Sequence, residues 1–314
     1  MITLISICHD PYSKLVTHPP SKASELNLSK KSFNHQILSD LLSPDLSSDT
    51  LTTLENLYSK VSSLHLNFSE FIAVLLKTPL WQQLGLHSPG FSEICLDFSF
   101  EVDNLYKDIA VEPSYHSRKH FIEVCLSTHL LVLQNNSIHD QSYNWFLSPD
   151  ECWYLLLSAM AHDVGHLGRS NQIPYEQELI AIDYLERFLD SKSFKNQSTC
   201  KEIAKHIILA TEPRDRKALI SRIGSGNTLS AIDKLGMLMM EADLLASVLP
   251  IKGVELGIKL SNEIMPQDMV LANFIKSSEG RLGFLNSVAF LSAQSHLLGL
   301  DQILKTAILK ITQE

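Results

Sequence analysis

The chain has 314 residues, of which 45% are hydrophobic and 19% charged: ample apolar material for a core, and the wrong balance for a disordered chain. Twenty-six Lys and Arg against 35 Asp and Glu leave a formal charge of −9, which argues against a general nucleic-acid binder with its basic face. Glycine is scarce, 12 in all and none before Gly85, so helices are favoured over a β sandwich built on repeated glycine turns.

Residues 1–45 read as irregular, broken by Pro11, Pro19, Pro20 and Pro44, with one helix around Phe33–Leu42. The first residues lack a basic segment, and their apolar run is too short for a secretory signal. No run long enough for a membrane span follows. Five scattered cysteines (Cys8, Cys95, Cys125, Cys152, Cys200) contain no CxxC, so neither a thiolate zinc site nor a disulfide framework is supported. These features point to the cytoplasm and are also compatible with a translocated effector.

Leu51, Leu54, Leu57, Val61 and Leu64 recur at spacings of three or four, the period of an amphipathic helix. Ser69 to Leu84 reads as the next helix, and His87–Gly90 as a turn and boundary. Residues 1–90 are therefore expected to form an N-terminal helical region packed on a catalytic domain spanning 91–314. Ser148, Pro149 and Glu151 form a helix start, with an N-cap, proline at the first helical position and a capping box. The apolar run Trp153–Ala161 follows it, and Leu235–Leu249 is a further apolar helix. No internal repeat is present, and the chain reads as all-α.

The densest chemistry is His162-Asp163, followed four residues later by His166. Imidazole and carboxylate side by side suit Zn²⁺, Mn²⁺, Fe²⁺ or Mg²⁺. If the helix continues, His162 and His166 share one face. His116 and His120 repeat that spacing, and Asp243 is an acid inside an apolar helix, where it needs a partner such as a metal. Each feature alone is ordinary; a histidine pair, then His-Asp, then Asp in this order is the metal-site pattern of the HD superfamily. Arg118 and Lys119 read as a solvated helix face, and His129, His139, His206 and His296 as structural or surface residues.

The motifs resemble those of the class I 3′,5′-cyclic nucleotide phosphodiesterases. Tyr115-His116-Ser117-Arg118-Lys119-His120 matches the family's YHxxxH. His162-Asp163-Val164-Gly165-His166-Leu167-Gly168-Arg169-Ser170-Asn171 matches HDxxHxGxxN. Leu209-Ala210-Thr211-Glu212, Met240-Glu241-Ala242-Asp243-Leu244 and Gly283-Phe284-Leu285 correspond to three later segments. The resemblance covers roughly residues 100–290 and implies a compact multi-helix bundle of the HD type around a two-metal site.

By that resemblance His120, His162, Asp163 and Asp243 would hold the first metal, often zinc, with Asp163 bridging to a second, Mg²⁺ or Mn²⁺. His166, Asn171 and Thr211 would stand behind these ligands or near the second metal. His116 would be the general acid for the leaving O3′, and Glu176 would orient it or the activated water. Phe284 would clamp the base. The implied reaction is hydrolysis of cAMP or cGMP to the 5′-monophosphate by a two-metal-activated hydroxide. The implied partner is a small-molecule cyclic nucleotide or related phosphoester, with no nucleic acid or membrane partner and with room for a homo-oligomer.

The chain departs from the family at several points. Arg281 stands where the family has its purine-binding glutamine, and arginine can only donate hydrogen bonds. Arg281 would suit guanine, or a phosphate or carboxylate, better than adenine. The segment between Asn171 and Glu176 is short, and Met240 replaces a supporting histidine. Two alternatives follow: an HD-type phosphohydrolase acting on a different phosphoester, or a non-catalytic metal-containing binding or sensor module.

Overall fold

A computed structural model describes residues 32–46, 49–109, 111–138, 144–224 and 229–313. The irregular segment with Cys8, Pro11, Pro19 and Pro20 lies outside them, as does His139. The described residues form sixteen α-helices and no strand. The first eight are α1 (Ser32–Leu41), α2 (Thr50–Ser63), α3 (Phe68–Leu75), α4 (Pro79–His87), α5 (Phe91–Lys107), α6 (Arg118–Asn135), α7 (Pro149–Ala161) and α8 (Glu176–Asp190). The second eight are α9 (Gln197–Leu209), α10 (Arg216–Gly224), α11 (Ala231–Val248), α12 (Lys252–Ile264), α13 (Met269–Ile275), α14 (Ser278–Ser287), α15 (Ala293–Leu297) and α16 (Leu300–Gln313).

Helices α6, α7 and α11 pack against one another at the centre. α7 and α11 are apolar on most faces, and α6 buries Glu123, Ser127, Thr128 and His129 beside its apolar residues. α7 starts as its sequence dictates: the Ser148 hydroxyl accepts from Glu151 N–H at 3.3 Å, and the Glu151 carboxylate accepts from Ser148 N–H at 2.8 Å. Glu241, fully buried on α11, accepts from the Leu291 and Ser292 amides at 2.6 and 2.9 Å and so anchors the chain entering α15.

The single helix expected over Ser69–Leu84 is two. Pro79 lacks the N–H that a continuing helix needs, so α3 stops and α4 begins with Pro79 in its first turn. Gly90, at φ 94°, makes the turn into α5. One continuous core runs from Leu38 to Ala307. α3 packs on α5 and α6, and α4 on α5 and α7. Trp81 of α4 is buried against Trp153 of α7, ring centroids 4.9 Å apart, and donates to Nδ1 of His129 at 3.1 Å.

Candidate metal centre and its cavity

Four segments converge at one point. α7 ends at Ala161, and His162 caps it, with its N–H on Ser158 O at 2.9 Å. Nδ1–H of His162 donates to Ala159 O at 3.0 Å, which leaves Nε2 as a lone pair facing inward. The helix does not continue to His166: Gly165, at φ 80°, turns the chain. His162 and His166 therefore do not share a helix face. His116 likewise precedes α6, whose N-cap is Ser117, whereas His120 sits in the first turn. Asp243 comes from α11, half-buried where that helix lines the cavity.

Nε2 of His120 lies 3.3 Å from Asp163 Oδ2 and 3.1 Å from Asp243 Oδ1. Nε2 of His162 lies 3.0 Å from the same Asp163 oxygen and 3.6 Å from the same Asp243 oxygen. Both imidazoles are buried, and neither Nε2 makes a hydrogen bond among the described residues. Burial alone would lower the basicity of both rings, but the carboxylates overcome it, pushing His120 up to about 9 and His162 well above its ordinary value. Burial likewise works against ionised Asp163 and Asp243, yet the facing imidazoles hold both below the usual carboxylate range. Without a cation the two rings hold protons against the carboxylates; with those protons displaced, two inward imidazole nitrogens beside two carboxylates form a donor set that fits a divalent metal.

A second cluster adjoins the first. His116 Nδ1–H donates to Glu263 Oε1 at 2.5 Å, and Glu263 Oε2 accepts from the amides of Tyr115 and His116 at 2.6 and 3.1 Å. His116 Nε2 is 4.0 Å from Asp163 Oδ2. His166 stacks on His116 with ring centroids 3.6 Å apart. Burial, then the neighbouring His116, push His166 down to about 3, so it is neutral.

Glu263 had no motif to announce it. Its signal was positional: an acid seven residues after Leu256 on the buried stripe of α12. Glu176, expected to orient His116, does not reach it. Its carboxylate forks with the Arg169 guanidinium at 2.5 and 2.8 Å and accepts from Gln172 N–H at 2.8 Å, closing the short segment on itself.

Asn171 Nδ2 donates to Glu178 at 2.9 Å and Glu212 at 2.8 Å, tying α8 to the end of α9. Thr211 Oγ1 donates to Ile208 O at 2.7 Å. Arg281 donates through Nη1 to Ser247 O at 2.5 Å and through Nη2 to Leu249 O at 3.1 Å, capping α11. Its guanidinium lies 5.6 Å from the Phe284 ring, and burial pushes it down to about 10. Arg118, expected to be solvated, is half-buried between Asp103 and Glu112 at 2.9 and 2.6 Å, whereas Lys119 is exposed.

His116, His162, Asp163, His166, Asn171, Thr211, Asp243, Arg281 and Phe284 all line one cavity of about 770 Å³. No helix among the described residues is long and apolar enough to cross a membrane. Residues 115–255 match the family described as 3′5′-cyclic nucleotide phosphodiesterase. Over that stretch the chain is similar to this family. Its members are hydrolases, and the family uses divalent metals. Solved structures give the same fold. LmjPDEB1 in complex with IBMX is 16% identical over 82% of this chain and 90% of its own, with a TM-score of 0.62. The phosphodiesterase domain of a rhodopsin fusion from the choanoflagellate Salpingoeca rosetta is 15% identical over 80% and 91%, TM-score 0.56. Yeast caPDE2 is 16% identical over 92% and 70%, TM-score 0.58. Among curated proteins, none matches the chain.

Proposed function

We propose that this phosphodiesterase domain hydrolyses a 3′,5′-cyclic nucleotide, cAMP or cGMP, to the 5′-monophosphate in the cytoplasm. The observation that carries the reading is the quartet of His120, His162, Asp163 and Asp243 beside a histidine whose far nitrogen is clamped by Glu263. The quartet would hold the first divalent ion, with zinc suited to its nitrogen-rich side. Asp163 would be shared with a second, Mg²⁺ or Mn²⁺, near His166 and Asn171. When bound, such ions supply Lewis acidity for the phosphoryl oxygens and for activating water.

The protein's own contribution is positioning and proton supply. Glu263 accepts the His116 Nδ1 proton and so leaves Nε2 to carry the proton destined for O3′. Tyr115 and His116 amides pin the Glu263 carboxylate, so the acid is oriented before substrate arrives. Phe284 offers an aromatic face to the base. Four free, buried cysteines (Cys95, Cys125, Cys152, Cys200) accord with a reducing compartment.

The second reading, a different phosphoester, rests on Arg281, whose guanidinium is spent on backbone carbonyls and offers no glutamine-like amide to a purine. Release of 5′-nucleotide from cAMP and cGMP with Mn²⁺ or Mg²⁺ tests both readings. Wild type should turn over, while Asp163→Ala and His116→Ala should be about a hundredfold slower or worse. Metal-loaded wild type that turns over neither nucleotide overturns the first reading.

A further inference from the structure

Most of the arginines on the cavity wall are accounted for. Arg169 is forked with Glu176, Arg214 donates to Asn171 O, and Arg281 caps α11. Arg216 is different. It opens α10 and lines the same cavity as Asp163 and Asp243. Its buried Nε has no hydrogen-bond partner, and no ion pair among the described residues includes it. Asp243 attracts it only from beyond ion-pair distance, and the Asp243 Oδ1 oxygen is already turned to His120 and His162.

Arg216 is half-buried, and a guanidinium with its Nε shut off from water and no counter-ion within ion-pair distance is costly. An arriving anion would supply the missing charge. Arginine stays protonated even when burial lowers its affinity for the proton, and its planar fork matches two phosphate oxygens at once. We propose that Arg216 binds the phosphoryl group of the substrate and of the 5′-monophosphate product, on the side of the cavity next to Asp243. This inference rests on reading the cavity as a phosphoester site and adds a protein-borne anion contact to it. The guanidinium would hold non-bridging oxygens in both ground and transition states, so its loss should weaken product binding as well as kcat/KM.

The test is calorimetric titration of the metal-loaded full chain with 5′-AMP, inorganic phosphate and adenosine, alongside metal analysis. Arg216→Gln should keep its metal and its fold, bind 5′-AMP and phosphate about ten- to a hundredfold more weakly, and bind adenosine as wild type does. Arg216→Lys should recover part of the loss. Binding of 5′-AMP by Arg216→Gln within about twofold of wild type overturns the proposal, set against the contribution of a charge-assisted hydrogen bond. A fall in metal content also overturns it, because Arg216 would then serve Asp243 and not the ligand. Where Arg216→Gln does not fold, Arg216→Lys carries the test: a selective loss for 5′-AMP of about threefold or more supports the contact, and unchanged affinity overturns it. No turnover is read, so an enzyme inactive on cyclic nucleotides would sink the proposed reaction without touching this result.

Discussion

Glu263 decides which nitrogen of His116 is available. An imidazole free to rotate would present either nitrogen to the cavity, whereas Nδ1 bound at 2.5 Å to a carboxylate pinned by two amides presents Nε2. Glu263→Gln keeps the volume and can still accept from the His116 ring, but it replaces a charge-assisted hydrogen bond with a weaker neutral one. We expect kcat to fall about ten- to a hundredfold with KM little changed and metal content intact, read by steady-state kinetics and metal analysis. Equal kcat would remove Glu263 from the mechanism. The residues that converge on the His–Asp quartet were legible because each sits in a short motif whose spacing survives without the fold. Glu263 was not, because its only link to His116 is tertiary, across 147 residues. Glu176 shows the opposite case: its motif position suggested a role in orienting His116 or the activated water, and Arg169, seven residues away, takes up its carboxylate.

At the scale of elements, the contact between α11, α12 and α14 depends on one missing side chain. A Cβ on Gly253 would lie 2.2 Å from Arg281 Nη2 and 2.2 Å from Ser247 O. Gly253 is therefore what lets Arg281 slide between α12 and the end of α11. Gly253→Ala should expel the guanidinium from its carbonyls and cost about 1–3 kcal/mol by overpacking and loss of the cap. Denaturant unfolding measures the cost, and a second change, Arg281→Ala, should relieve the part of the clash that falls on the guanidinium and leave the part on Ser247 O. Additive losses in the double variant would show that the two residues do not meet. Helix starts such as Ser148 were readable because capping chemistry is local. The division of α3 from α4 was missed although Pro79 was in plain view, since a proline can either kink a helix or begin one and only packing decides.

At the scale of the whole molecule, His129 joins three helices that are far apart in sequence. Trp81 N–H donates to its Nδ1 at 3.1 Å, and its Nε2 faces Leu42 O at 2.7 Å, just past α1. Those partners specify one neutral tautomer, and burial pushes the ring down to about 4 from an ordinary 6.5. As the pH falls below about 6.5, the unfolded chain takes up a proton that the folded one refuses. Stability is lost until the pH passes about 4. Between pH 7.5 and 5 this amounts to about 2 kcal/mol for His129 alone. His129→Gln, whose amide can both accept and donate, should be less sensitive to pH over that interval by about this amount in chemical denaturation. An unchanged slope would show that the ring is protonated inside the fold.

The wide separation of partners also sets a timetable for the chain as it is made. At about 5–20 residues per second, some 7 to 30 s pass between the emergence of His116 and that of Glu263 147 positions later. Trp81 waits for His129, 48 positions on, before its indole N–H has anywhere to go. The four side chains of the His–Asp quartet are all synthesised before the carboxylate that holds His116. The quartet can thus come together in a nascent chain before the carboxylate that holds His116 has been made.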